Sequence, residues 1–421
     1  MRLALVLTAA LAFAAGSNSS GAAQGLDSRE TQPEQQVAKC CTATIRVSVP
    51  EGTGTLYITG NLPELGPWQP DRLAMTGEGR ERVARLTAPR GTEFEYKFTL
   101  GTWDREALSS SGTVPPNYQL LIDGDVEAFH EIADFKKDPE EYFADPKGSG
   151  VKGRLVYWTD VSSAFLGPTR HVEIWLPPEY EDHPTARYPV LYMHDGQNLF
   201  DPRIANTGVD WGVDEAVVRL VEQGVIPPVI VVGVWSTADR GPEYSPWQRA
   251  PDYARFLVEE LMPGVNAEFR TLTGPENTAV MGSSMGGLLS FYLVTQHPDV
   301  FGACGCVSTH FPLSEAMVSQ YFPSVAGKTD PDTTPYVIRD IEAGLRVPEE
   351  ARYWFDYGTV GLDASYGPTH EAVRDWLLEQ GLVEGENFVV RAYEGADHNE
   401  ASWRARLADP LTFLFGKDTP E

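Results

Sequence analysis

Two hydrophobic patterns divide the chain. In residues 41–136, apolar and polar positions alternate in short runs separated by turn residues, as in residues 43–49 and 94–100. Alternation with a period of two is typical of strands that bury one face. No long helical pattern interrupts these runs. They predict a small antiparallel β-sandwich of about a hundred residues.

The second pattern, in residues 151–417, consists of continuous apolar runs separated by helical segments. Residues 188–193, 229–234 and 278–281 are apolar runs of strand length. Strands that are apolar on both faces belong to sheets that helices cover on both sides. The predicted fold class is therefore α/β, with a mostly parallel sheet preceded by the small antiparallel β domain. The polar residues 137–150 between the two are predicted to be a linker.

The first forty residues predict export. Residues 1–23 begin with a basic end at Arg2 and continue as an apolar run that is too short to cross a bilayer. Such a segment is typical of a cleaved signal peptide, so a secreted or periplasmic location is expected. Residues 24–40 are polar and are predicted to be a disordered lead-in. No other segment reaches eighteen apolar residues, so no membrane span is expected.

Charge and cysteine content limit the partners and the disulfide bonds that can be expected. The net charge of −27 on 421 residues argues against nucleic acid and anionic membranes as partners. The four cysteines form two close pairs, Cys40 with Cys41 and Cys304 with Cys306. An oxidising compartment permits disulfides, but spacing does not give their connectivity. The apolar run around Cys304 and Cys306 favours buried thiols.

Residues 282–286 have the pattern G-x-S-x-G, with Ser284 at the centre. An apolar strand-like run precedes the pattern and a helical segment follows it. Strand, tight turn and helix form the setting in which a nucleophilic serine is presented at the tip of a turn. The alternative is a Gly-rich turn with a structural role only. The setting favours the nucleophile.

A base and an acid follow Ser284 along the chain. His398 lies on a loop after the strand-like residues 388–393, where it is placed to act as a general base. Asp363 lies on the loop after the preceding strand and is the predicted partner of that histidine. Asp356 would lie inside a strand and Asp397 is adjacent to His398, so both are worse placed. The order Ser, Asp, His is the order of α/β-hydrolases.

The turn after residues 188–193 is the candidate oxyanion hole. The main-chain N–H groups of Gln197 and Met285 are the predicted donors, because Gly196 permits close approach of the backbone and Met285 follows the nucleophile. His194 and Asp195 on the same turn have no partner ligands at metal spacing. No metal and no organic cofactor are therefore predicted.

The loop after residues 229–234 is expected near the catalytic mouth, because functional loops cluster at the carboxyl edge of such a sheet. Arg240 and Tyr244 on this loop are predicted to line the acyl or alcohol pocket. The alternative is an internal pair of Arg240 and Glu243 that only braces the loop.

Five segments together resemble the esterase D and enterobactin-esterase branch of the α/β-hydrolases. They are residues 194–201, 240–246, 282–287, 358–363 and 395–403. The branch also includes feruloyl esterases, acetyl-xylan esterases and mycolyltransferases. The resemblance covers residues 151–417 and implies hydrolysis or transfer of an ester acyl group. It does not identify the small-molecule ester.

The first domain resembles the starch-binding (family 20 type) carbohydrate modules. The residues that carry the resemblance are 60–68, 94–98, Trp103 and Asn117. It implies that Trp68 and Trp103 form a platform that stacks on α-glucan or another polysaccharide. The alternative is that both tryptophans pack inside the sandwich and that the domain only supports the enzyme.

These observations predict an exported serine esterase that acts on a sugar-linked, feruloyl, acetyl or siderophore ester. Ser284, His398 and Asp363 would form the catalytic triad. An acyltransferase would use the same residues, with a sugar or lipid hydroxyl in place of water. A non-catalytic carbohydrate-binding surface protein is the third alternative, and the presence of all three triad residues argues against it.

Overall fold

The computed structural model of the protein describes residues 40–66, 68–110, 112–144, 149–321 and 333–416. The predictions of a signal peptide in residues 1–23 and of a disordered lead-in from residue 24 fall outside these residues, except at Cys40. Within the described part of the chain, no helix is both long and apolar enough to cross a membrane.

In the described part of the chain, nine strands precede the large sheet. They are β1 Cys40–Ser48, β2 Tyr57–Gly60, β3 Leu73–Ala74, β4 Glu81–Pro89, β5 Thr92–Thr99, β6 Ala107–Leu108, β7 Tyr118–Ile122, β8 Val126–Glu131 and β9 Asp134–Phe135. They form sheets in the orders β4-β1-β8 and β3-β2-β5-β7, with a ribbon of β6 and β9. Ile45, Leu86 and Phe94 are among the side chains buried in their common core. The alternating pattern therefore marks the strands that bury one face.

The prediction that all strands of this region are antiparallel is wrong for one pair. β1 runs parallel to β8, with Ala43 opposite Val126. The other pairings in these sheets are antiparallel. Alternation describes how each strand is buried, and it carries no information on the direction of the neighbouring strand.

Among the residues that the structure describes, the large sheet has eight strands. They are β10 Arg154–Val161, β11 Arg170–Leu176, β12 Val190–His194, β13 Ile230–Val234, β14 Thr278–Ser283, β15 Ala303–Val307, β16 Arg352–Gly358 and β17 Phe388–Tyr393. Their order is β10-β11-β13-β12-β14-β15-β16-β17. β11 pairs antiparallel with both of its neighbours, β10 and β13. The remaining pairs, from β13–β12 across to β16–β17, are parallel. This mostly parallel sheet is the predicted one and has the strand order of an α/β-hydrolase.

Helices connect the strands. They are α1 Pro139–Phe143, α2 Val213–Glu222, α3 Arg240–Tyr244, α4 Ala250–Arg255, α5 Met262–Glu268, α6 Met285–Gln296, α7 Glu315–Tyr321, α8 Tyr336–Glu342, α9 Gly367–Glu379, α10 Glu400–Arg406 and α11 Ala408–Phe415. A π-helix, Phe256–Leu261, joins α4 to α5. The segment predicted as a linker contains α1, and Phe143 stacks on Tyr157 of β10 at 3.9 Å between ring centroids.

Successive residues of the central strands pack into two different cores. In β12, Tyr192 lies in one core, whereas Leu191 and Met193 lie in the other. Val280 and Met281 of β14 divide in the same way. The sheet is covered on both faces, which is why its strands are apolar at consecutive positions. The carboxyl ends of its parallel strands share one edge, where the loops of the site described below begin.

A buried ion pair fastens α3 to the sheet. Arg170 at the start of β11 donates to both carboxylate oxygens of Glu243 at 2.9 Å, and neither side chain is exposed. The guanidinium also lies over the ring of Phe256, 5.2 Å from its centroid. Removing one partner would leave an unpaired charge in the core, which is far more costly than losing an exposed pair.

Glu243→Ala should therefore lower the free energy of unfolding by about 3–5 kcal/mol. Glu259→Ala, which breaks the exposed pair with Arg255, is the control and should cost less than about 1 kcal/mol. Urea denaturation of the full chain measures both changes. Equal losses in the two variants would contradict a structural role for the buried pair.

Candidate active site

Ser284 lies in the turn between β14 and α6. Its backbone has φ 58° and ψ −122°, a strained conformation for a residue with a side chain. A Cβ on Gly282 would lie 2.8 Å from the carbonyl carbon of Gly286, so glycine is required there. The turn leaves Ser284 half-buried, with its neighbours Ser283 and Met285 buried. Strain held by close packing is typical of a turn that presents a nucleophile.

Asp363 and His398 are paired. The Nδ1 of His398 lies 2.5 Å from Oδ1 of Asp363, which is fully buried in the 3₁₀ helix Gly361–Ser365. The other carboxylate oxygen accepts hydrogen bonds from the Ser308 hydroxyl and, at 2.7 Å, from the Gly358 N–H. Burial alone would raise the pKa of the Asp363 carboxyl, but the hydrogen bonds from His398 and Ser308 outweigh burial and hold that pKa below its usual value. The carboxylate is therefore charged and orients the imidazole.

The two alternative acids have other partners. Asp356 is fully buried and accepts from Arg406 at 2.9 and 3.2 Å, as well as from the indole of Trp354 at 2.7 Å. Asp397 accepts from the main-chain N–H of His398 at 2.7 Å, not from its ring. The structure thus brings Asp363, rather than either alternative, to the imidazole.

Tyr366 connects Ser284 with the Asp363–His398 pair, and the sequence analysis did not identify it. Its ring meets that of His398 edge to face at 5.7 Å, and its hydroxyl is hydrogen bonded to Nδ1 of His310. Burial and the Asp363 charge raise the pKa of the Tyr366 hydroxyl, whereas its hydrogen bond with Ser284 opposes the rise. The phenol therefore stays protonated and holds the serine side chain.

His310 is the second residue that the sequence analysis missed. Its main-chain N–H donates to the Ser284 carbonyl at 3.1 Å. Burial, together with the charges of His398 and Arg240, lowers its pKa to about 4, so its ring is neutral. The available signal was its position just after β15, at the edge of the sheet where functional loops collect.

The predicted oxyanion turn is the 3₁₀ helix Gly196–Asn198. A Cβ on Gly196 would lie 2.6 Å from the Gly233 carbonyl carbon, so the close approach predicted for this glycine is present. The side chain of Gln197 is engaged with Ser236, to which it donates at 2.8 Å and from whose N–H it accepts at 3.1 Å. Met285 is the first residue of α6, where N–H groups have no partner within the helix. Both main-chain N–H groups remain the candidate donors.

Arg240 pairs with the oxyanion turn and not with Glu243. It donates to both carboxylate oxygens of Asp195, at 2.7 and 2.8 Å, and about a third of its side chain is exposed. Tyr244 is fully buried, and its hydroxyl accepts from the Asp195 N–H at 3.2 Å. Tyr244 therefore has no surface in this structure with which to line a pocket. Arg240 and Tyr244 instead hold Asp195, two residues before Gln197.

His194 is buried, and burial lowers its pKa to about 3. Its Nδ1 lies 3.3 Å from the Tyr253 hydroxyl, so the neutral ring is part of the core. Within the described residues, three carboxylates lie close together, with ligand atoms within 4.8 Å of one another: Asp210, Asp214 and Glu215. Arg404 donates to Asp210 at 2.7 Å and to Glu215 at 2.9 Å, which supplies a counter-charge at the start of α2.

Trp68 and Trp103 share a cavity of about 290 Å³. Both are half-buried, so each keeps an accessible surface. The remaining lining residues are Lys97, Glu106, Asn117 and Asn206. The structure brings the two predicted tryptophans together with the predicted Asn117.

The strained turn at Ser284, the Asp363–His398 pair and the strand order define an α/β-hydrolase fold. The sequence matches the family described as "Putative esterase" over residues 163–414, which is more than half of the chain, and the chain belongs to that family. The prediction of a carboxylic ester hydrolase is confirmed by this membership.

Three relatives differ in how much of the chain they match. An uncharacterised Bacillus subtilis protein, YbbA, is 21% identical over 59% of this chain and 94% of its own length. An endo-1,4-beta-xylanase/feruloyl esterase of Xylanibacter ruminicola is 25% identical over 53% of this chain and 32% of its own length. An alpha-amylase of Streptomyces violaceus is 32% identical over 24% of this chain and 19% of its own length. The chain thus spans most of the first relative and a third or less of the other two.

Arg240→Ala should lower kcat on esters by about tenfold with little change in KM, because it loosens the turn that carries Gln197. Arg240→Lys keeps the charge but loses the bidentate contact, so it should recover only part of kcat. Steady-state kinetics on p-nitrophenyl esters of increasing acyl length measure both values. A changed acyl-length preference at unchanged kcat would instead support the predicted pocket role of Arg240.

Proposed function

We propose that the protein is an exported serine esterase in which Ser284, His398 and Asp363 form the catalytic triad. The observation that carries the proposal is the 2.5 Å contact between His398 and a fully buried, ionised Asp363, at the edge of the sheet that also carries Ser284. A buried carboxylate held by three donors fixes the imidazole in one tautomer. Nδ1 then carries the proton, and Nε2 is the base.

The reaction follows from this arrangement. His398 Nε2 takes the proton from Ser284 as Oγ attacks the ester carbonyl carbon, and the negative charge that develops is stabilised by the N–H groups of Gln197 and Met285. Collapse breaks the bond to the alcohol oxygen, which receives the proton from His398. Water then attacks the acyl carbon and gives a proton to His398. The bond to Ser284 Oγ breaks, Oγ takes that proton back, and the carboxylic acid leaves.

Tyr366 is a positioning residue in this scheme. Its hydroxyl contacts both Ser284 and His310, and neither the phenol nor the neutral imidazole of His310 brings a charge next to the nucleophile. A neutral pair holds the serine side chain without placing a charge next to the nucleophile.

We infer that the substrate is a sugar-linked ester, a feruloyl or acetyl ester, or a siderophore ester. The reaction would take place outside the cytoplasm. Similarity to a relative named an endo-1,4-beta-xylanase/feruloyl esterase supports sugar-linked and feruloyl esters. The cavity of Trp68 and Trp103 supports a glycan partner, because indole rings stack on the apolar faces of pyranoses. Similarity of a shorter stretch to an alpha-amylase agrees with an α-glucan.

Ser284→Ala should reduce ester turnover by about 10⁶-fold, the scale expected when a triad nucleophile is removed. His398→Ala should be similarly severe, and Asp363→Asn should cost less. Ser365→Ala, an exposed serine near Asp363, is the matched control and should retain wild-type activity. Hydrolysis of p-nitrophenyl acetate and labelling by a fluorophosphonate probe measure the effect. More than a tenth of wild-type activity in Ser284→Ala would overturn the assignment.

The full chain should be retarded in a native gel that contains starch. Trp68→Ala with Trp103→Ala should abolish the retardation, because stacking on one ring contributes roughly 0.5–1.5 kcal/mol and the cavity has two. Phe129→Ala, which removes a ring that is 69% exposed, is the control and should leave the retardation unchanged. Free migration of the wild type with starch, glycogen and β-cyclodextrin alike would contradict α-glucan binding.

A further inference from the structure

The tryptophan cavity is not confined to the first domain. Asn206, which lines it, belongs to the segment 201–209 between the oxyanion turn and α2 of the hydrolase domain. In the same segment, Gly208 lies against Val114, where a Cβ would be 3.1 Å from the Val114 nitrogen. We call residues 201–209 the bridging loop. One wall of the cavity therefore comes from the catalytic domain.

The bridging loop is fastened to the cavity side by a buried lysine. Lys136 is 3% exposed, and its Nζ donates to the carbonyls of Ile204 at 2.7 Å and Ala205 at 2.8 Å. The Lys136 N–H in turn donates to the Glu106 carbonyl at 2.9 Å. Glu106 lines the cavity and pairs with Lys97 at 2.5 Å. A buried ammonium that donates to two carbonyls resists displacement of the loop.

The other side of the bridging loop is fastened to the candidate catalytic residues. The Asn206 N–H donates to Oδ1 of Asn198 at 2.9 Å, and the Thr207 hydroxyl donates to Glu400 at 3.0 Å. Asn198 follows Gln197 in the oxyanion turn, and Glu400 lies two residues after His398. The cavity wall and the candidate catalytic groups are thus separated by only a few residues of one loop.

We propose that a single glycan chain occupies both places, so that the substrate is an acyl ester carried by the same glycan that the tryptophans hold. Sugar units stack on Trp68 and Trp103, the chain continues past Asn206 along the bridging loop, and a later unit presents its ester to Ser284. This inference rests on the proposed function.

The lining of the cavity suits this substrate. Two indoles match the apolar faces of pyranose rings, and the amides of Asn117 and Asn206 with the Lys97 ammonium match sugar hydroxyls. Binding at the cavity makes the encounter of the ester with Ser284 intramolecular, which raises its effective concentration. A substrate too short to reach the cavity gains nothing from it.

Chain length is therefore the property to test. The full-length protein is assayed on acetylated maltoheptaose, acetylated xyloheptaose, acetylated glucose and p-nitrophenyl acetate. The value of kcat/KM for a heptasaccharide ester is expected to be at least about tenfold that for acetylated glucose. A ratio of this size corresponds to the free energy of about one aromatic stacking contact. Trp68→Ala should abolish most of that ratio, and Asn206→Ala should reduce it several-fold. Asn206→Ala keeps the main-chain N–H bond to Asn198 and removes only the side chain that lines the cavity.

Phe129→Ala serves as the control and should keep the wild-type ratio. The inference would be overturned if a heptasaccharide ester were cleaved no better than acetylated glucose. Hydrolysis of p-nitrophenyl acetate in the same assay would still support the proposed esterase function. The inference would also be overturned if the heptasaccharide-to-glucose ratio of kcat/KM fell in Trp68→Ala but not in Asn206→Ala. The first domain would then bind a glycan apart from the active site. Absence of hydrolysis of all four esters would instead count against the proposed function.

Discussion

The buried carboxylate of Asp363 constrains the rest of the site, because a charge without solvent must be paired on all sides. His398, Ser308 and the Gly358 N–H supply its hydrogen bonds. The Ser308 hydroxyl also accepts from Arg406 at 2.7 Å and from the Trp403 indole at 3.0 Å. Both of these residues lie in α10, which begins two residues after His398. One carboxylate thus fixes both the imidazole and the helix that follows it.

Two further ion pairs fix the candidate oxyanion turn. Arg240 with Asp195 holds the oxyanion turn, and Arg170 with Glu243 holds the short helix that carries Arg240. The helix has only five residues, which is too short to be stable alone. Its position therefore depends on these charges, and through Asp195 the geometry of the candidate oxyanion donors depends on them as well.

The bridging loop extends this pattern to the first domain. It contacts Asn198 and Glu400 on one side and the buried Lys136 on the other. An ordered connection of this kind links the wall of the tryptophan cavity to the candidate catalytic residues.

Local patterns in the sequence determined the elements whose geometry is set by neighbours along the chain. The glycines around Ser284 require a sharp turn, consecutive apolar positions require a sheet covered on both faces, and the strand before Asp363 places it at the sheet edge. Tertiary structure alone decided which distant groups meet. Several pairings have no local signature: β1 with β8, Arg240 with Asp195, and Tyr366 with His310. The burial of Tyr244 has none either. Each depends on how separate elements pack, and an ionic or polar side chain takes the partner that packing brings within reach.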